Sequence, residues 1–206
     1  MICPRVGIDQ KKHLISLKKE FFRKTIHMCT GFIPLFLYLN KTVTLILLCA
    51  ALLCYSISEI LRLHGIEIPL VSHITQAASR QRDNNGFVMG PVTLVLGIVL
   101  TAVLFDEQSA RVGIFALAFG DGLASLGGKT FGKVRVPFTN GKTAAGSLTC
   151  FSAIFVCSFA VTNNTAMALI LAAAGTLIEG LPLKDYDNLF LPVLLAFMTD
   201  SLLPHV

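Results

Sequence analysis

The chain has 206 residues, 54% of them hydrophobic and 14% charged, with a mean hydropathy of +0.72. Soluble domains carry about 25% charged residues, so this composition excludes an ordinary water-soluble domain. It points to an all-α, polytopic transmembrane helix bundle forming one membrane-embedded domain over residues 1–206. The formal charge of +5 is no sign of nucleic acid, because basic residues in such a chain chiefly record topology.

The opening residues, MICPRVGIDQKKHLISLKKEFFRK, are basic and lack a leading apolar core, so no cleavable signal is expected. Residues 9–24 place Leu14, Leu17, Phe21 and Phe22 on one face and lysines on the other. That is the pattern of an interfacial amphipathic helix, assigned to the segment 1–24. A span needs roughly 20 apolar residues, with about 17 as the lower limit. Seven are expected, over 25–40, 42–61, 88–105, 110–127, 143–161, 165–181 and 188–204, the first and last being short. Between the second and third, residues 69–82 read as another amphipathic helix, followed by a turn at DNNG. The six cysteines show no metal-ligand or redox spacing.

Alternating the loops across a bilayer puts fifteen of the seventeen Lys and Arg on one side, with Lys41 and Arg111 near the other. The basic side is cytoplasmic by the positive-inside rule, so the N-terminus is expected inside and the C-terminus outside. Ionisable residues inside membrane helices are costly and mark function. Here they gather at the basic side: Arg23, Lys24 and His27, Glu59 and Arg62, Asp121, Lys142, Glu179, Asp185 and Asp187. The outer side holds Asp106, Glu107 and Asp200 with no glycine-rich loop beside them.

The stretch GDGLASLGGKTFGKVRVPFTNGKTAAGS, residues 120–147, combines glycines, lysines and a carboxylate. Glycines let backbone N–H groups approach an anion, and lysines supply point charges suited to phosphate. The start of the fifth span, GKTAAGS, adds a helix N-terminus. A nearby carboxylate suits Mg²⁺, which takes one or two protein carboxylates together with phosphate oxygens. A nucleotide or polyphosphate site at the membrane surface is expected. It is not a P-loop: the glycine required five residues before GKT is replaced by Leu123 in one copy and Val136 in the other.

Plainer readings exist. Gly97, Gly113 and Gly175 suit helix–helix contacts. Glu59 and Arg62 stand at i,i+3 and can simply pair. For Asp121 the plain reading is an ion pair with a basic neighbour such as Lys129.

Four segments resemble a known family, the CTP-dependent lipid-alcohol kinases that act on dolichol, phytol or diacylglycerol: RKTIHMCTG at 23–31, GDGLASLGGKTFGK at 120–133, NGKTAAGSL at 140–148 and IEGLPLKDYDNLFLPV at 178–193. The resemblance implies transfer of the γ-phosphate of CTP to the hydroxyl of a polyprenol, phytol or diacylglycerol, with Mg²⁺. It implies a nucleotide site built on Gly122, Gly127, Gly128, Lys129, Lys142, Thr143, Gly146 and Ser147, with the N–H groups of Gly127, Gly128 and Gly146 on the triphosphate. Asp121 would hold the metal, with Glu179 or Asp187, and one of these carboxylates would instead orient or deprotonate the lipid hydroxyl. Arg23 and His27 would stand near the transferred phosphate. The partners implied are a lipid alcohol, a nucleoside triphosphate and membrane lipids, and oligomeric state is left open. The location implied is the cytoplasmic membrane of a prokaryote or the endoplasmic reticulum, with the site facing the cytoplasm. Two alternatives remain at this stage, a CTP:phosphatidate cytidylyltransferase and a small transporter using Asp121.

Overall fold

The computed structural model describes residues 20–66, 86–137, 139 and 141–203. The amphipathic segments expected over 1–24 and 69–82 lie mostly or wholly outside the described residues, residues 20–24 excepted. All the described regular structure is helical. Helix α1 covers residues 20–29 and runs through a 3₁₀ turn, Thr30–Phe32, into α2, Ile33–Leu39. Helix α3 follows over Lys41–Leu63, α4 over Gly90–Leu104 and α5 over Glu107–Phe115. A π-helical turn, Ala116–Asp121, joins α5 to α6, Gly122–Phe131. The bundle closes with α7 over Ala144–Thr162, α8 over Thr165–Gly180 and α9 over Asp187–Leu202. Among the described residues, seven helical rods therefore stand over the apolar runs, with ends shifted by a few residues.

Three of these rods are long and apolar enough to cross a membrane: Lys41–Leu63, the continuous Glu107–Phe131, and Ala144–Thr162. They are used differently. In the most apolar window of α3 only 17% of residues are buried inside the protein, against 67% for Glu107–Phe131. Ile46, Leu47, Leu53 and Ile57 of α3 are all more than half exposed. A helix that turns such side chains outward along its length needs an apolar solvent. The α5–α6 rod is instead the centre of the bundle, packed by α7 and α9.

Local sequence accounts for the helix ends. Asn40 accepts from the Val43 N–H at 3.0 Å, Asn164 from the Met167 N–H at 3.1 Å, and Thr143 from the Gly146 N–H at 3.2 Å, each capping a helix start. One core cluster joins Val112, Cys150, Ile154, Leu171, Leu191 and Leu195 from α5, α7, α8 and α9, and a second joins Leu94, Ile98, Ile114 and Leu117.

The glycines expected to be helix contacts are contacts. Pro192 lies inside α9 and has no N–H for the Asn188 carbonyl one turn earlier. A Cβ at Gly97 of α4 would strike that carbonyl, and one at Gly113 of α5 would strike the Pro192 carbonyl, so α9 is gripped from both sides by glycines. Gly175 admits Ile154 and Leu195 in the same way. Gly113→Val is expected to destabilise the fold by about 1–3 kcal/mol, the usual range for an overpacked core. Thermal unfolding in detergent checks it, and an unchanged midpoint would contradict this packing.

Glu59 is a structural clasp. It is 1% exposed, accepts two bonds from Arg62 (2.9 and 2.7 Å) and takes the Val88 N–H at 2.8 Å. Arg62 also donates to the Gly86 carbonyl at 2.8 Å, tying the end of α3 to the approach to α4.

Candidate functional site

A cleft of about 310 Å³ opens at the end of the bundle where α1, α6, α7, α8 and α9 meet. Asp121, at the end of the π turn, lies deep in it and is 6% exposed. A π turn adds a residue to an otherwise regular helix and is common at functional sites. Here its last residue is the acid, in the most buried of the three long rods.

Asp121 does not pair with Lys129. Its Oδ2 holds Lys24 Nζ at 2.6 Å, and the same ammonium donates to the Asp121 carbonyl at 3.2 Å. Lys24 is 4% exposed and lies 97 residues earlier in the chain. His27, one turn further along α1, brings Nδ1 to 3.4 Å from the same carboxylate oxygen without forming a hydrogen bond. His27 is buried and does not line the cleft, so it stands behind Asp121 rather than facing the phosphate position expected of it. Gly122 serves this junction, since a Cβ there would come 2.9 Å from Met28 Cγ of α1.

The glycine-rich stretch is helical through Phe131, not a loop. That corrects the role expected of Gly127 and Gly128. Inside a helix their N–H groups are spent on the helix's own ladder, so they are not free to cradle phosphate. Gly127 faces away from the cleft toward α7, where a Cβ would strike Thr149. Gly128 does line the cleft, and a Cβ there would come 2.9 Å from Thr143 Oγ1. At Gly146 a Cβ would reach the Ala124 carbonyl at 2.9 Å and Gly128 Cα at 3.3 Å. Gly146's own N–H is taken by Thr143 Oγ1. These two glycines bring the ends of α6 and α7 together and leave space; they supply no free amides.

The connection between α6 and α7 doubles back on itself. Val136 N–H donates to Lys142 O at 2.8 Å and Ala144 N–H to Val134 O at 2.9 Å, around a single Arg135–Thr143 bridge. Gly141 takes φ +87° in the turn, a conformation that favours glycine. The effect is to deliver Lys142 to the cleft, where its Nζ stands 2.7 Å from Glu179 Oε1 at the end of α8. The contact is an off-axis ion pair rather than a formed hydrogen bond. Thr143, Ser147 and Asp187 also line the cleft.

On the α1 side, Glu20 accepts from Arg23 Nη2 at 2.6 Å and from Ser125 Oγ at 2.9 Å, both on Oε1. Its Oε2 lies 3.3 Å from Lys129 Nζ. Burial raises the affinity of this carboxyl for a proton, but Arg23, Lys129 and the Ser125 hydroxyl outweigh it and hold Glu20 below the usual glutamate range. The cleft thus gathers Arg23, Lys24, Lys129 and Lys142 against Glu20, Asp121, Glu179 and Asp187. The charges balance, so an entering anion must exchange partners.

Most residues expected from sequence converge here: Arg23, Asp121, Gly128, Lys129, Lys142, Thr143, Gly146, Ser147, Glu179 and Asp187 line one cleft. Sequence reasoning placed Lys24 at the membrane entry but gave it no role, and it passed over Glu20 and Ser125. The spacing of Glu20, Arg23, Lys24 and His27 along one helix is the signal that contained them. For a metal, no three His, Cys, Asp or Glu side chains cluster among the described residues. A site made of protein ligands alone is therefore not formed by them. Mg²⁺ carried by phosphate needs one or two carboxylates, and Asp121 and Glu179, each already holding an ammonium, meet that need.

The sequence is similar to those of several known proteins. The chain is 28% identical over 151 residues to phytol kinase 1, chloroplastic, of Arabidopsis thaliana, covering 64% of this chain and 49% of that protein. It is 29% identical over 129 residues to the chloroplastic farnesol kinase of the same plant, 55% of this chain and 42% of that one. It is 22% identical over 215 residues to CTP-dependent diacylglycerol kinase 1 of Saccharomyces cerevisiae, 90% of this chain and 74% of that one. The chain spans about half the length of the two plant kinases. No protein-family profile matches it, and no solved structure matches it.

Proposed function

We propose that this chain is a lipid-alcohol kinase of the kind its relatives exemplify, moving the γ-phosphate of CTP to the hydroxyl of a lipid held in the bilayer. The observation that carries the reading is the cleft itself: four cations and two deep carboxylates, Asp121 and Glu179, meeting at one end of an apolar bundle. CTP as donor rests on the yeast relative's printed name, and a lipid alcohol as acceptor rests on the phytol, farnesol and diacylglycerol kinases.

Phosphoryl transfer is mostly positioning and charge neutralisation. Mg²⁺ bound with the nucleotide would be held by Asp121 and Glu179 and would neutralise charge on the phosphates. Lys24 and Lys142, now paired with those carboxylates, would be the cations to meet phosphate oxygens, so the partner exchange that charge balance demands falls on these two pairs. Arg23 and Lys129, which also line the cleft, would take the remaining phosphates. Asp187, which lines the cleft at the start of α9, would orient or deprotonate the lipid hydroxyl. His27 supports Asp121 from behind. The N-terminus inside, seven spans and a cleft facing the cytoplasm complete the reading, on the charge asymmetry of the loops.

The test is an assay in detergent with γ- and α-labelled CTP and ATP against phytol, farnesol, polyprenols, diacylglycerol and phosphatidate. The expected result is γ-label in lipid with CTP and no α-label. α-Label in lipid with γ-label in pyrophosphate would instead identify a cytidylyltransferase. Lipid left unlabelled across the whole panel would remove the kinase reading.

A further inference from the structure

Glu20 differs from the other carboxylates of the cleft. Asp121 and Glu179 each hold one lysine ammonium closely, which leaves those pairs neutral. Glu20 is shared by two cations, Arg23 at 2.6 Å and Lys129 at 3.3 Å, so that trio keeps a charge of about +1 at neutral pH. The trio also keeps donors. A guanidinium has five N–H groups and an ammonium three, and Glu20 engages one nitrogen of each. Glu20 is itself fixed across two helices, since its Oε1 takes the Ser125 hydroxyl of α6 at 2.9 Å. Ser125 and Lys129 are one turn apart on α6 and face the same carboxylate. Arg and Lys lose much rotamer freedom when they grip a ligand, and side chains held in place beforehand lose less.

We propose that Glu20 is a positioning residue, a bracket between α1 and α6 that converges Arg23 and Lys129 on one phosphoryl group of the bound anion. Glu20 does not touch the reacting atoms; it acts through the two cations. This rests on the polyphosphate reading of the cleft and goes beyond it by assigning a pre-built anion seat to the α1–α6 wall.

The experiment uses the full chain in detergent and measures binding of inorganic pyrophosphate and of CTP by titration calorimetry. Glu20→Gln is expected to weaken pyrophosphate binding about tenfold, by loss of pre-organisation, and Glu20→Asp to recover part of that loss. In an Arg23→Ala/Lys129→Ala background the same Glu20→Gln change is expected to cost under about twofold, because residues acting through one another are not additive. Binding by Glu20→Gln that equals or exceeds wild type overturns the proposal: the carboxylate would then be a bystander or a competitor for the seat. A full tenfold loss that persists in the double-variant background also overturns it. If Glu20→Gln does not fold, Ser125→Ala, which removes one anchor of the bracket, replaces it with an expected loss of about threefold, and unchanged binding there overturns the proposal. Wild-type protein that binds pyrophosphate but not CTP would defeat the nucleotide reading and leave the bracket standing. Binding of both ligands with no Glu20 effect would defeat the bracket alone, and binding of neither would defeat both.

Discussion

Asp121→Asn is expected to cut γ-phosphate transfer from CTP to a lipid alcohol by on the order of 10³-fold, the scale set by removing one pre-organised electrostatic group from an active site. The reason lies in what the carboxylate does in three directions. It holds Lys24 at 2.6 Å, has His27 at 3.4 Å, and lines the cleft with Lys142 and Glu179. Asparagine keeps the shape and one acceptor oxygen for Lys24 but loses the charge a divalent cation requires. A buried ammonium left without its counter-ion is also costly, so a lower unfolding midpoint is expected alongside the lost activity. Lys24→Met paired with Asp121→Asn separates the two effects: removing both charges restores stability, while activity stays low. Near-wild-type transfer by Asp121→Asn would take this carboxylate out of the mechanism. Wild-type stability in the single variant would mean that the Lys24–Asp121 pair does not carry the energetic weight its burial implies.

Glu59→Ala is the other large effect, and it falls on stability alone. The substitution takes from Arg62 its two bonds to Glu59, while that to the Gly86 carbonyl stays, and it strands the Val88 N–H. Breaking a buried pair from one side costs 3–5 kcal/mol; Arg62 keeps 20% of its side chain exposed, so about 2–3 kcal/mol is expected here. For a chain of this size that corresponds to a drop of roughly 5–10 °C in the unfolding midpoint. Glu59→Gln keeps an acceptor and loses less. Because Glu59 does not line the cleft, activity per folded molecule is expected to stay at the wild-type level. An unchanged midpoint would show that the clasp between α3 and α4 is ornamental, and lost specific activity would move Glu59 into the working machinery.

Much of this molecule is legible along the chain. The apolar runs locate the seven helical rods, because a helix must hide its backbone polar groups and an apolar solvent selects long hydrophobic stretches. The clustering of Asp121, Lys129, Lys142 and Glu179 beside glycines locates the cleft, because charged groups in so apolar a sequence have few reasons to exist apart from a ligand. What reads wrongly is local. Glycine and lysine between 127 and 133 read as a phosphate loop, yet the helix runs on to Phe131. Gly127 and Gly128 serve contact with α7, and a single sequence looks the same whether a glycine admits a phosphate or a neighbouring helix.

The order of helices, their lengths and the side of the bundle that carries charge follow from hydropathy and residue type, which are properties of short windows. The partners of the acids do not, because pairing is settled by which helices pack together: Lys24 reaches Asp121 across 97 positions and Ser125 reaches Glu20 across 105. Distance along the chain says nothing about such meetings. Folding brings α1 against the π turn and α6, and with that choice Asp121 takes Lys24 in place of Lys129, His27 moves behind the cleft, and Glu20 enters it.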